Sequence, residues 1–204
     1  MIAVIDYGVG NLFSLRSSLN YLGAESCVSS EPGVLRRADR LILPGVGAFG
    51  DAAEKLRRSG LDRIVLEEAE KGKPVLGICL GMQLLFETSF EYGEHPGLGL
   101  LPGRVIGMEG TLPGELKIPH IGWNALHLTR PSPLLSRVKE GDCVYFVHSF
   151  YAVDCADSLI ATAEYGLPLT AAVQRENVMG CQFHPEKSGK VGLNILRSFC
   201  EVTG

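Results

Sequence analysis

The sequence predicts an α/β protein of three layers: a mostly parallel central sheet, helices on both faces, and a smaller antiparallel portion. Three observations carry this. Strand-length apolar runs alternate with segments of helical period. Glycine-rich loops sit where one gives way to the other. After Thr88, Gly and Pro become dense and the strands short. The first strand is Ile2 to Ile5, apolar throughout and closed by Asp6, as burial on both faces requires. Gly8-Val9-Gly10 turns the chain, Asn11 can cap the next helix, and Leu12, Leu15, Leu19 and Leu22 recur at helical spacing before Gly23. Leu41 to Leu43 is the next strand, followed by the loop Pro44-Gly45-Val46-Gly47 and helices at Phe49 to Arg58 and about Asp62 to Lys71. A strand from Pro74 to Ile78 and a helix from Met82 to Glu87 complete the first half. Val105-Ile106, Val144 to Val147, Leu169 to Gln174 and Val178 to Phe183 are expected as hairpin-like antiparallel strands or as a mixed sheet edge, and a last helix from about Lys190 to Val202.

No stretch has the composition of a linker, so residues 1–204 are expected to form one domain, a size that can close around a single core. A hydrophobic fraction of 46% and a charged fraction of 21% exclude wholesale disorder. With a net charge of -4 and no Lys/Arg run, nucleic acid is not an expected partner. Apolar runs broken by Gly and Pro are too short to span a membrane. Met1 to Ile5 has no basic leader and reaches Asp6 too soon for a signal peptide. The expected location is the cytoplasm. There the six scattered cysteines, Cys27, Cys79, Cys143, Cys155, Cys181 and Cys200, stay thiols. None forms a C-x-x-C pair or meets histidines at zinc-ligand spacing, so no metal is expected. Gly8-Val9-Gly10 lacks the third glycine of a dinucleotide loop, since Phe13 stands there, and no phosphate-loop motif occurs. No cofactor is expected.

One cysteine is set apart by its surroundings. Gly77-Ile78-Cys79-Leu80-Gly81 is a thiol version of the nucleophile elbow, placed between a strand and a helix as that motif demands. Such a sharp turn closes only if its neighbours lack side chains, and it lifts the sulfur toward the positive end of the helix dipole. The Leu80 N–H then points where an oxyanion forms. A glycine-flanked packing cysteine is the alternative, and the strand before and helix after decide against it. A thiol nucleophile needs a base. His184, in Phe183-His184-Pro185-Glu186, follows a strand, and Pro185 holds it extended. Glu186, two residues on, shares its side and can accept a ring N–H. Cys79, His184 and Glu186 thus have the roles of a triad. His95, His120, His127 and His148 show no neighbouring orienter in sequence, and His127 reads as a surface strand position. The Pro44 to Gly47 loop offers a second oxyanion donor at Val46 or Gly47, on glycine backbone that can rotate cheaply.

These motifs resemble those of the class I, triad-type glutamine amidotransferases. Asp6-Tyr7-Gly8, Pro119-His120-Ile121-Gly122-Trp123-Asn124, Tyr145-Phe146-Val147-His148-Ser149 and His184-Pro185-Glu186-Lys187-Ser188 narrow the resemblance to the glutaminase subunits of imidazole glycerol phosphate synthase. The resemblance runs nearly end to end and implies a flavodoxin-like sheet. It also implies glutamine as substrate and a separate (β/α)8-barrel cyclase as heterodimer partner. Ammonia would pass to that cyclase, which makes imidazole glycerol phosphate and an aminoimidazole carboxamide ribotide in histidine biosynthesis. By the same resemblance Gln83 and Glu91 hold the charged end of glutamine. The His148-Ser149 backbone clamps it, with Phe150 where Tyr is more usual. Asn11, Trp123 and Lys187 face the cyclase. Another class I amidotransferase, a free-standing cysteine hydrolase and a silent binding module on the same fold are the alternatives.

Overall fold

The computed structural model describes residues 1–114 and 116–202. In chain order the first half holds β1 (Ile2–Ile5), α1 (Leu12–Tyr21), β2 (Ser26–Ser29), α2 (Pro32–Arg37), β3 (Arg40–Leu43), α3 (Phe49–Arg58), α4 (Leu61–Glu70), β4 (Val75–Ile78) and α5 (Leu80–Leu84). Then come β5 (Phe86–Ser89), β6 (His95–Pro96), β7 (Leu101–Gly107), β8 (His120–Ala125), β9 (His127–Leu128), β10 (Cys143–His148) and β11 (Phe150–Val153). The chain closes with β12 (Leu159–Glu164), β13 (Pro168–Arg175), β14 (Val178–Cys181) and α6 (Gly189–Glu201).

The main sheet has the order β2-β1-β3-β4-β14-β13-β12-β9. Its first five strands are parallel and run in the flavodoxin-like sense, and the last three join antiparallel. Strand alternation divides the core in two. Ala3, Ile5, Leu41 and Leu43 pack on one face against Leu35 of α2, Phe49 and Leu56 of α3 and Val65 of α4. Ile2, Val4, Ile42 and Leu76 pack on the other against Leu15 and Leu19 of α1 and Ile195, Leu196 and Phe199 of α6. Burial on both faces explains why these strands read as unbroken apolar runs. Among the described residues, no helix is long and apolar enough to cross a membrane.

Two smaller sheets flank this body. The four strands β11-β7-β5-β6 lie on the α2–α4 side, since Phe86, Leu101, Val105 and Ala152 enter that core. The β8-β10 ribbon lies on the α1–α6 side through Val144 and Phe146. Ser149, between β10 and β11, is therefore the joint where the chain crosses from one flank to the other.

The structure departs from the sequence reading at Val178 to Phe183, where β14 is a central strand of the main sheet, parallel to β4 on one side and antiparallel to β13 on the other, and at Met82 to Glu87. The helix stops at Leu84, and Phe86–Ser89 pairs as a strand with β7. A cross-strand partner overrides helical spacing over so short a run. β2 and α2, which the periodicity did not predict, form an edge strand with no fully buried residue and a six-residue helix with only Leu35 buried.

Helix α6 is seated on the turn that follows β14. A Cβ on Gly192 would lie 1.9 Å from the Pro185 carbonyl oxygen. Helix propensity favours Ala over Gly by about 0.8–1 kcal/mol, but a contact that short forces backbone movement costing about 1–3 kcal/mol. Gly192→Ala is therefore expected to lower the urea midpoint. An unchanged or raised midpoint would show that helix and turn are not in this contact.

Candidate active site

Cys79 sits between β4 and α5 with φ 55° and ψ -114°. This is a strained backbone for a residue with a side chain, costing on the order of 1–3 kcal/mol and tolerated where the surroundings over-determine it. The surroundings here are contacts that exclude side chains. A Cβ on Gly81 would lie 1.9 Å from the Leu43 oxygen, and one on Gly77 would lie 2.6 Å from the Gly81 oxygen. The Cys79 N–H donates to the Cys181 oxygen at 2.8 Å, carrying the β4–β14 pairing up to the elbow. Leu80 N–H belongs to the first turn of α5, where helix amides lack partners within the helix. The glycine loop lies directly on this elbow, since a Cβ on Gly45 would meet the Gly81 nitrogen at 2.7 Å. Tyr7 fixes the start of the loop by donating its hydroxyl to the Pro44 oxygen at 2.7 Å. Gly47, at φ 94°, uses a conformation that side chains disfavour.

His184 is held from three directions. Its N–H donates to the Tyr145 oxygen at 2.9 Å, the Ser188 hydroxyl donates to its oxygen at 2.6 Å, and its Nδ1–H donates to Glu186 Oε1 at 2.8 Å. Both the His184 and Glu186 side chains are 3% exposed. With Nδ1 occupied, Nε2 is the atom left for Cys79. Burial pulls the imidazole pKa down, but hydrogen bonding to Cys79 and Glu186, and their charges, outweigh it and raise it from 6.5 to about 9. Glu186 Oε2 meets no donor among the described residues, so His184 is the hydrogen-bond partner of this carboxylate. Cys181, the second thiol nearby, is pushed well up by burial, then by Glu186 and Cys79, and stays protonated.

Beside the elbow lies a cleft of about 310 Å³ at the carboxyl ends of the central strands, where open parallel sheets place their ligands. Cys79, Leu80, Val46, Gly47, Gln83, Glu91, His148, Ser149, Phe150 and His184 all line it. Glu186 stands behind His184. Glu91 Oε2 accepts the Phe49 N–H at 2.6 Å at the start of α3. Burial raises the Glu91 pKa, and that N–H opposes the rise. Phe150 contributes its carbonyl, which accepts from Gln83 Nε2 at 3.1 Å and from His148 Nδ1 at 2.8 Å. Its ring packs edge-on against Tyr92 at 6.0 Å. The Phe150 backbone thus does its bonding without a side-chain hydroxyl.

His148 is oriented after all, by a residue far away in sequence. His120 Nδ1 lies 3.0 Å from His148 Nε2, and Asn124 Nδ2 lies 3.2 Å from His120 Nε2. With Phe150 and Asn124 fixing the ends, each ring donates from Nδ1 and accepts at Nε2. Burial pushes the His148 pKa down to about 3, overriding the Phe150 hydrogen bond, and lowers that of His120. Both rings stay neutral and structural. His127 is exposed and pairs with Glu140 at 2.8 Å.

The residues expected at a partner face lie apart from the cleft wall. Trp123 is 59% exposed and edges onto Tyr145. Lys187 is exposed, its Nζ 5.9 Å from the Tyr145 ring centroid. Asn11 caps α1 by accepting the Ser14 N–H at 3.5 Å and lines a crevice behind His184 and Glu186. Sequence reasoning missed Tyr92, Pro119 and Val147 on the cleft wall, and it missed Gln182, whose Nε2 lies 3.7 Å from the Cys79 sulfur. For Gln182 a signal existed: it precedes His184 by two residues, the spacing that had singled out Glu186.

A cysteine on a strained turn and a carboxylate-held imidazole at the strand ends define the class of an α/β protein with the geometry of a cysteine-type hydrolase. Comparison with known proteins narrows it. A family model described as glutamine amidotransferase class-I matches residues 3–202. The imidazole glycerol phosphate synthase subunit HisH of Wolinella succinogenes is 52% identical over 204 residues, covering 99% of this chain and 100% of the relative. That of Bacillus licheniformis is 52% identical over 206 residues, covering 100% and 97%. The structure of PurLQS from Thermotoga maritima superposes with a TM-score of 0.75 at 22% identity over 97% of this chain and 96% of that one, which speaks for the fold. The chain belongs to the class-I glutamine amidotransferases, among the HisH subunits of imidazole glycerol phosphate synthase.

Two outcomes are expected for His184. Ring NMR should show its proton retained to about pH 9. Cys79→Ala removes one of the two groups that raise the pKa, so the titration should move down. A pKa raised in the fold stabilises fully below the unfolded value and is lost as pH rises through the folded one. Wild-type stability should therefore decline from about pH 6.5 to about pH 9, and less steeply in Cys79→Ala. Coincident titrations in the two proteins would contradict this.

Proposed function

We propose that this chain is the glutaminase half of an imidazole glycerol phosphate synthase, hydrolysing glutamine to glutamate and ammonia through Cys79, His184 and Glu186. The ammonia passes to a (β/α)8-barrel cyclase subunit in a heterodimer, which makes imidazole glycerol phosphate and aminoimidazole carboxamide ribotide for histidine biosynthesis. The observation that carries the chemistry is the locked imidazole: Glu186 holds Nδ1–H, leaving Nε2 to serve the elbow sulfur.

The Cys79 sulfur attacks the carboxamide carbon of glutamine. The oxygen that becomes negative is met by the Leu80 N–H and a loop N–H at Val46 or Gly47. One such donor is commonly worth about 2.7–4 kcal/mol. His184, protonated at neutral pH, gives its proton to the departing ammonia, and the C–N bond breaks to leave a glutamyl thioester. Acid–base help of this kind contributes about a hundred- to ten-thousand-fold. Neutral His184 then takes a proton from water as it attacks the thioester, and glutamate leaves with the sulfur freed.

Gln83 and Glu91 suit the charged end of the substrate. Both Gln83 amide hydrogens are committed, to Phe150 and Gln182, so its oxygen is left to accept from an ammonium. Glu91 has one oxygen on Phe49 N–H and the other without a hydrogen bond among the described residues, open to the same ammonium. His148, Ser149 and Phe150 line the same cleft, and their backbone amides are offered to the carboxylate. No cofactor enters these steps. The exposed Ile121 and Trp123 of β8 and Ile118 just before it offer a barrel partner apolar surface, with Lys187 near Trp123 through the shared Tyr145 ring, and Asn11 is the further contact expected. The Gly45 to Gly47 loop is the switch that couples the two subunits, because its peptides can turn at low steric cost.

Cys79→Ala should fold and lose glutaminase activity by at least about a thousandfold, while the mixed complex still uses free ammonia. The lone chain should hydrolyse glutamine slowly, and a cyclase with its ligand should speed it. Glutaminase turnover should fall as pH rises through about 9, where His184 loses its proton. Full activity of the lone chain, or of Cys79→Ala, would overturn the proposal.

A further inference from the structure

We propose that Gln182 is a further catalytic residue: its side-chain N–H donates to the Cys79 sulfur and steadies the negative charge there whenever the thiolate is free. This rests on the reading of Cys79 as nucleophile and adds a group that the triad and oxyanion donors do not include.

The geometry begins one residue beyond β14. Gln182 is fully buried, and its backbone N–H donates to the Ala171 oxygen at 2.8 Å. Its side chain meets two partners. Gln182 Oε1 lies 2.9 Å from Gln83 Nε2, and Gln182 Nε2 lies 3.7 Å from Cys79 Sγ, within donor range of sulfur. The question is which end of each amide faces which partner, and the Phe150 carbonyl answers it. That oxygen has no hydrogen to give, so the Gln83 atom 3.1 Å from it must be the NH₂ nitrogen. The same nitrogen faces Gln182, so Gln182 must turn its oxygen there. Its NH₂ is then aimed at the sulfur. Flipping Gln182 would set two NH₂ groups 2.9 Å apart and press a carbonyl oxygen on the sulfur lone pairs. His148, donating to the same Phe150 oxygen at 2.8 Å, holds the start of the chain still.

The consequence is a donor of fixed polarity beside the reacting atom, on a side chain that is itself fully buried. Hydrogen bonds to charged groups are the strong ones, and a preorganised donor costs no reorientation as charge appears. The sulfur is negative as free nucleophile and again as leaving group when the thioester is cleaved. It is neutral in the thioester itself. A donor that favours the anionic states over the thioester promotes release of glutamate.

Two near-isosteric substitutions test this in the folded chain. Gln182→Met removes the donor and Gln182→Glu replaces it with a carboxylate. Each protein is treated with iodoacetamide at pH 7.5, and the alkylation rate is read peptide by peptide, with the exposed Cys143 as internal control. Cys79 should react about tenfold more slowly in Gln182→Met and more slowly still in Gln182→Glu, with Cys143 unchanged. In the complex with a cyclase, kcat should drop by a similar factor. In the unmutated chain, alkylating Cys79 should shift the Gln182 side-chain amide proton resonances, a readout that needs no variant to fold. An unchanged Cys79 rate in folded variants, or unshifted amide resonances, overturns the role of Gln182 alone. If wild-type Cys79 reacts no faster than Cys143, the nucleophile reading fails and this one with it.

Discussion

The approach of Gly81 to the Leu43 carbonyl is the constraint on which the site depends. With no Cβ at that point, α5 begins directly against the end of β3, and β4 must turn sharply to reach it. The turn takes Cys79 into a left-handed backbone and lifts its sulfur out of the sheet. Gly45 then lies flat on the same elbow, so the loop after β3 and the helix after β4 become one surface. The strain is modest beside the burial that enforces it: side chains such as Leu43, Ile78 and Phe49, each at most 3% exposed, contribute about 1.5–3 kcal/mol apiece.

Electrostatics divides the histidines around the cleft into two kinds. His184 has Cys79 and Glu186 as hydrogen-bond partners and keeps its proton to about pH 9. His148 has burial and other imidazoles against it and, despite the Phe150 hydrogen bond, is driven to about 3. One ring is a store of protons; the other is a neutral hydrogen-bond relay. The relay reaches from Asn124 on β8 through His120 and His148 to the Phe150 carbonyl, and thence through Gln83 and Gln182 to the sulfur. Polar groups buried this deeply are tolerated because nearly every one has a partner.

Legibility in sequence followed the range of the interaction. The elbow and the His184-Pro185-Glu186 turn could be read because each is local: glycines at fixed offsets, and a carboxylate two residues from an imidazole. The central strands could be read because burial on both faces leaves an unbroken apolar run. What depends on partners far along the chain was not legible. His120 and His148 are 28 residues apart, Gln83 and Gln182 are 99 apart, and no local pattern announces either pair. The same holds for Phe86–Ser89, which is a strand only because Leu101–Gly107 lies beside it. The role of the Phe150 carbonyl was likewise invisible, since main-chain acceptors leave no mark on residue type.

The proposed mechanism turns on one covalent species, a glutamyl group on the Cys79 sulfur. The most direct measurement is peptide mass spectrometry of the complex quenched in acid during glutamine turnover. A glutamyl adduct on the peptide that holds Cys79, absent after a chase without glutamine, is the expected result. Turnover with no adduct there, or with the adduct on another residue, would contradict it.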